Sequence, residues 1–331
     1  MFGLPEALTG EARAEPMRRF KRILYVFEDE PEHNASLDRA ADLARRNGAV
    51  LTLAHLVEEP DSMGSGECTR RVTDKLYRTI LDEAESELRE IARSLGPERP
   101  EVRCKVLTGR PHVAVVREVL REGHDLVMKT ASPDDSLMTH IFGTLDTRII
   151  ELCPCPVWID KPIPHTRYSR IMAAVDLFAD SAPELEVTIL ELAASIAEIE
   201  HAELHVIHVW QLYGETALRG RAFTKAAEEE VAAMIAEERE RHAAALEALV
   251  EPFRERPLQI EVHLVKGRPE LTIAEEAERL EIDLIVIGTH AQSHLWGLLL
   301  GSTTQSVLRQ AKCAVLAIKP PGFKSPITLD D

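Results

Sequence analysis

Gly109-Arg110-Pro111, followed sixteen residues on by Asp125-Leu126-Val127, returns later in the chain as Gly267-Arg268-Pro269 and Asp283-Leu284-Ile285. The register then holds without a gap: Gly143-Thr144 matches Gly301-Ser302, and Cys155-Pro156-Val157 matches Cys313-Ala314-Val315. Chance supplies one such match, but four in register mean an internal duplication. Upstream, residues 23–28 align with 171–176 and 53–56 with 206–209, and the extra residues of the second copy fall between those strands and the glycine-proline landmark.

Each copy alternates apolar, β-branched runs with helical spacing. Residues 23–27, 50–57, 102–107, 125–128 and 157–159 have the composition of strands buried on both faces. Leu37, Ala40, Ala41 and Ala44 share one face of a predicted helix over 36–46, and Pro111 suits the first turn of another that runs to 121. Residues 225–250 predict a long helix rich in Glu, Arg and Ala, whose charges read as a solvated face. Such alternation implies an α/β fold of two tandem doubly wound parallel sheets, five strands each, with right-handed crossovers. The division read from the chain is a tail at 1–19, a first domain at 20–161, a proline-rich linker at 162–166, a second domain at 167–320 and a tail at 321–331. Ligands of these sheets bind beyond the carboxyl ends of the strands, where strand order reverses. That rule singles out Glu28, Leu56, Gly109 and Thr130 in the first copy and Asp176, Val209, Gly267 and Gly288 in the second.

Bulk properties exclude several function classes. A net charge of −17 with one short basic cluster (Arg18, Arg19, Lys21, Arg22) argues against a nucleic-acid partner. No apolar run is long enough for membrane insertion, and the first residues lack the pattern of a signal peptide, so the chain reads as cytoplasmic. Five cysteines without a CxxC pair fit reduced thiols, and Cys153-Pro-Cys155 reads as two small apolar residues beside a buried strand rather than a redox or metal clip.

These residues resemble the universal stress protein family, whose fold is of the adenine nucleotide alpha hydrolase-like type, and each copy looks like one complete family domain. The nucleotide-binding branch of that family carries Gly-x-x-Gly, nine residues, then Gly-Ser or Gly-Thr. Here Gly288 is followed by Ala291, nine residues, and Gly301-Ser302. A glycine directly after a strand lets backbone approach a phosphate, and a Gly-Ser pair opening a helix offers free N–H groups to an anion. The resemblance implies ATP with Mg²⁺ in the second domain: adenine near Val209, ribose near Asp176, and phosphates over Gly288, His290, Gly301, Ser302, Thr303 and Thr304. Val175, Ile287 and Ala291 complete that site. Ala291 departs from the pattern; its methyl group is either tolerated or blocks a glycine conformation. The first copy has Thr130, Pro133, Gly143 and Thr144 at the same positions, with Glu28 for the aspartate, and no ATP is expected there. A degenerate first domain beside a near-intact second one is similar to the tandem E-type members of the family, a likeness to which Lys129 and residues 154–158 add.

The function this implies is a cytosolic stress-response module that binds a small ligand in the second domain and acts through protein contacts. One alternative is a weak Mg²⁺-dependent nucleotide hydrolase using Asp176 and Ser302. Another is a carrier of an apolar, lipid-like metabolite using Trp296 and Leu298-Leu299-Leu300. No nucleophile elbow, paired-carboxylate signature or metal-ligand set is visible, so a binding protein is favoured over a catalyst. His290 and His294 lack an HExxH frame, and Gly214 to Gly220 lacks the Lys-Ser/Thr end of a Walker loop. His205 and His208 point to opposite faces of one strand and cannot share an ion, so no metal site is expected. The two copies are expected to pair through strands 157–159 and 315–318, as a family dimer does; a homodimer of the whole chain is compatible with this but not required.

Overall fold

The apolar runs become strands and the periodic segments become helices in the order the sequence predicts. The computed structural model describes residues 20–58, 67–131, 144–161, 167–178, 183–212, 214–216, 224–289 and 300–329. The N-terminal tail and the linker lie outside them. The first half contains β1 (Arg22–Phe27), α1 (Ala35–Asn47), β2 (Val50–Val57), α2 (Glu67–Ser94), β3 (Val102–Thr108), α3 (Pro111–Glu122), β4 (Leu126–Thr130), α4 (Thr144–Leu152) and β5 (Val157–Asp160). The second contains β6 (Arg170–Ala174), α5 (Pro183–Glu200), β7 (Glu203–Trp210), α6 (Lys225–Val250), β8 (Ile260–Lys266), α7 (Pro269–Arg279), β9 (Leu284–Gly288), α8 (Ser302–Gln310) and β10 (Ala314–Ile318). Local chemistry sets the ends. The Asn34 side chain accepts from Leu37 N to open α1, and Gly48, at φ 63°, closes it in the left-handed conformation that glycine tolerates.

The two expected sheets are halves of one ten-stranded sheet, ordered β3-β2-β1-β4-β5-β10-β9-β6-β7-β8. Pairing is parallel within each half. It is antiparallel only where β5 meets β10, with Val157 opposite Ala317, Trp158 opposite Leu316 and Ile159 opposite Val315. The copies therefore pair through their last strands. Alternate residues feed two cores, one per sheet face, and both run through the joint. Ile23, Trp158, Leu316 and Val286 lie on one face, and Leu24, Ile159, Val315 and Ile285 on the other.

The joint carries a polar layer of its own. Lys161 Nζ donates to Ala311 O at 2.6 Å, and its repeat counterpart Lys319 donates to Glu151 O at 2.9 Å. Each lysine thus reaches the carboxyl end of the other half's short helix, where an ammonium meets unsatisfied carbonyls and the negative end of the helix dipole. Burial pulls both lysines down to about 8. Beside them, Arg39 donates to Asp160 Oδ2 at 2.6 Å, Tyr168 Oη donates to Asp160 Oδ1 at 2.5 Å, and the Arg39 guanidinium lies 4.0 Å from the Tyr168 ring centroid. Residues after β10 lie across α3 of the first half, where Arg117 Nε donates to Thr328 O at 3.1 Å and Ile327 meets the core. Ile327 and Thr328 thus dock part of the C-terminal stretch read as a tail.

The Asp160 and Arg39 side chains are only 1% and 5% exposed. Removing one partner strands a buried charge, so Asp160→Ala should cost about 3–5 kcal/mol, whereas Arg39→Met with Asp160→Leu should restore most of it. Urea unfolding of the three proteins measures both numbers.

Candidate functional site

The order of the second half reverses between β6 and β9: β6 leads outward to β7 on one side, while β9 lies on the other. The crevice beyond their carboxyl ends brings together most of the residues predicted for the site. Ala174 pairs with Ile287, and Val175 N donates to Ile207 O at 3.0 Å. The next residue, Asp176, is exposed at the mouth; its N–H donates to Glu186 Oε2 at 2.9 Å, and its Oδ1 accepts from Phe178 N at 3.3 Å. Val209 and Ile287 are buried beneath. Across the crevice, Gly301 begins α8 without a side-chain cap. Ser302 is exposed and Thr303 half-buried, so the first turn offers backbone N–H groups at the positive end of a helix.

Two predicted residues have structural duties. Thr304 is buried, and its hydroxyl donates to Gly288 O at 2.8 Å, tying the start of α8 to the end of β9. A Cβ on Gly288 would lie 2.8 Å from Leu185 Cδ2 and 3.2 Å from Ile189 Cδ1. The sequence reading gave this glycine to phosphate approach; the structure adds a packing demand from α5. A larger residue there would force the Leu185 and Ile189 side chains of α5 to shift whether or not a ligand binds. His290 and Ala291, like Trp296, Leu298 and Leu299, lie outside the described residues.

The crevice wall holds a pair that sequence reasoning missed. His208 Nδ1 is hydrogen-bonded to Val175 O at 3.0 Å, and His208 Nε2 to His242 Nδ1 at 2.7 Å. His242 Nε2 reaches Glu238 Oε1 at 3.2 Å. The two rings stack at 4.9 Å; Trp210 stacks on His242 at 5.4 Å, and Phe178 meets it edge-on at 4.4 Å. Arg241 lies over Phe178 at 4.3 Å. The only available signal was a lone histidine within the charged run of α6, and nothing in its spacing named His208 as the partner.

The equivalent crevice of the first half is filled from within. Lys129, at the position of Ile287, is 1% exposed. Its Nζ lies 2.8 Å from the Glu28 carboxylate and 2.9 Å from that of Asp146, and donates to Thr130 O at 2.9 Å. Glu28 stands where the second half has Asp176, and Asp146 where it has Thr304. An ammonium already facing two carboxylates has no positive charge left over for an anion. A hollow of about 380 Å³ lined by Arg110, Val113, Arg117, Pro326 and Ile327 lies between α3 and the C-terminal segment. No described helix is long and apolar enough to cross a membrane.

The chain matches the Universal stress protein family twice, over residues 19–161 and 167–319. It is similar to universal stress protein E of Salmonella typhi, 26% identical over 95% of this chain and 99% of that one. Universal stress protein E of Escherichia coli K12 is 29% identical over 67% of this chain and 69% of its own length. Among solved structures, a functionally unknown protein of Pseudomonas aeruginosa PAO1 covers 92% of this chain and 94% of its own, with a TM-score of 0.65 and 23% identity. A universal stress protein from Archaeoglobus fulgidus covers 89% of this chain and 98% of its own, with a TM-score of 0.57 and 16% identity. These two solved structures share the fold.

Burial pushes both His208 and His242 below the ordinary imidazole range; Glu238 and Asp176 pull His242 back up while Arg241 pushes it further down. The unfolded chain binds those protons near pH ~6.5. The stabilisation from the neutral pair is therefore complete above about pH 6.5 and is lost as pH falls from there through the folded values. Urea unfolding between about pH 7 and 5 should show stability falling with acidification, with a shallower slope in the His208→Gln/His242→Gln variant.

Proposed function

The chain belongs to the universal stress protein family, and we propose from that premise that it is a non-catalytic stress-response protein of the cytoplasm whose second half binds an adenine nucleotide. The first half serves as a scaffold, and the protein acts through contacts that nucleotide occupancy modulates. The observation that carries this reading is the difference between two equivalent crevices on one sheet. In the first, the Lys129 ammonium is held between Glu28 and Asp146. In the second, the same positions are Ile287, Asp176 and Thr304, facing an α8 start that lacks a side-chain cap. Uncapped N–H groups and the helix dipole favour phosphate, and an exposed carboxylate at a strand end suits ribose hydroxyls. Mg²⁺ would accompany the phosphates. The family resemblance assigns the adenine to the neighbourhood of Val209.

Calorimetric titration of the full chain with ATP and Mg²⁺ tests this, with Ser302→Asp and Asp176→Ala as partners. Both side chains are exposed, so neither change disturbs the core. An acid in the first turn stabilises a helix by about 0.3–1 kcal/mol while repelling phosphate. Micromolar binding that weakens at least tenfold in Ser302→Asp, with melting temperature held or raised, is the expected result. Absence of binding by the native chain, or the same affinity in Ser302→Asp, would overturn the assignment. Phosphate release that falls in Asp176→Ala would replace the binding role with that of a hydrolase.

A further inference from the structure

The other end of β7 holds a second histidine pair, unconnected with the crevice. His205 lies near the amino end of the strand, with Met172 of β6 on one side and Glu261 of β8 on the other. His263, two residues beyond Glu261, projects to the same face. His205 Nδ1 and His263 Nε2 are 3.0 Å apart, and Glu261 Oε2 lies 3.6 Å from the first and 3.9 Å from the second. Three ligand-type atoms thus form a triangle on adjacent strands.

The geometry points to a divalent transition-metal site of the zinc class, with His205 Nδ1, His263 Nε2 and Glu261 Oε2 as ligands and water completing the shell. Tetrahedral zinc with nitrogen and oxygen ligands at about 2.0–2.2 Å sets those atoms roughly 3.3 Å apart, a value that the three observed edges bracket. Imidazole nitrogens with one carboxylate suit zinc over calcium or magnesium, which take oxygen shells.

Two further features fit a metal better than a plain histidine contact. His205 is 2% exposed, yet its Nε2 has no hydrogen-bond partner; the Glu203 carboxylate stands 3.7 Å away. A carboxylate behind the outer nitrogen of a buried histidine is the arrangement that fixes the tautomer of a metal ligand. With the proton on Nε2, the inner Nδ1 presents its lone pair to the site. His263 then needs only to move its proton from Nε2 to Nδ1 to present its own, so zinc binding releases no proton from the pair. The charged groups around them include Glu203 and Glu261, which attract a cation. Arg170 is paired with Glu203 and Glu281, and Arg279 with Glu276.

The test is titration of the chelator-treated full chain with Zn²⁺ in the absence of nucleotide, repeated with Co²⁺ to read the visible absorption of a bound ion. Native chain, His263→Ala and Glu261→Gln are compared; both substituted residues are less buried than His205, and Glu261 is exposed. The expected result is about one tight metal per chain, Co²⁺ bands from a nitrogen-containing shell, and at least a tenfold loss of affinity in each variant. Melting curves without metal confirm that the variants fold. No uptake by the native chain at micromolar Zn²⁺, or uptake unchanged in both variants, would overturn the site. Neither outcome depends on whether the crevice binds ATP.

Discussion

The antiparallel meeting of β5 and β10 is the constraint on which the rest of the molecule depends. Each half alone would end in a short strand that is buried on both faces and has one row of backbone groups unpaired. Such an edge invites aggregation. Pairing Trp158 with Leu316 and its neighbours removes both edges at once and leaves β3 and β8 as the borders of the sheet. Because the pairing is antiparallel, the halves are related by an approximate twofold axis. One lysine after each terminal strand then serves both halves: Lys161 reaches Ala311 O and Lys319 reaches Glu151 O. Duplication kept this reciprocity, since losing either lysine leaves carbonyls at a buried helix end without a partner. Symmetry fails at Asp160, whose counterpart is Ile318. The acid holds Arg39 from the first half and Tyr168 from the start of the second, so a buried network joins the last strand of one copy to the beginning of the next.

A joint secured in this way lets the two crevices diverge. The changes in the first half are mutually dependent. Lys129 in a site built for Ile287 would be an unpaired buried cation, and Asp146 without it an unpaired buried anion. Together with Glu28 they satisfy one another, and they occupy the strand ends where the second half presents an exposed aspartate. The result is one set of strand ends closed by its own charges and one that carries no such cluster among the described residues, on a scaffold that remains nearly symmetric.

The fold was legible because its signals are local or repeated. Alternation of apolar runs gave the strands, and the glycine-proline landmarks gave the duplication. The pairing of 157–159 with 315–318 was expected from the family's dimer once two copies were recognised, and β5 and β10 pair there. The ends of the elements were legible in the same way: Asp176 and Gly288 lie where apolar runs stop, and Gly301, marked by the family pattern, precedes α8. What escaped depends on contacts that one strand or helix does not encode. Leu185 against Gly288 needs the packing of α5 on β9. The docking of Thr328 on Arg117 spans the whole chain.

The histidines of β7 show this limit most clearly. The sequence correctly placed His205 and His208 on opposite faces, because they are three residues apart on a strand, and from that it rejected a shared ion. The parity argument was sound but incomplete. A strand face is shared with its neighbours, and each histidine found a second histidine on another element: His263 one strand over and His242 on α6. The two pairs also stand at opposite ends of β7, with different surroundings. His208 is anchored to a backbone carbonyl and enclosed by Trp210 and Phe178, so both its nitrogens are engaged within the wall of the crevice. His205 has one nitrogen facing a carboxylate without a hydrogen bond and the other facing His263 and Glu261 across the β7–β8 pair. β8 is one of the two borders that the β5–β10 joint leaves exposed. A cation held between β7 and β8 would fasten that border through side chains, where backbone pairing on the outer side is missing.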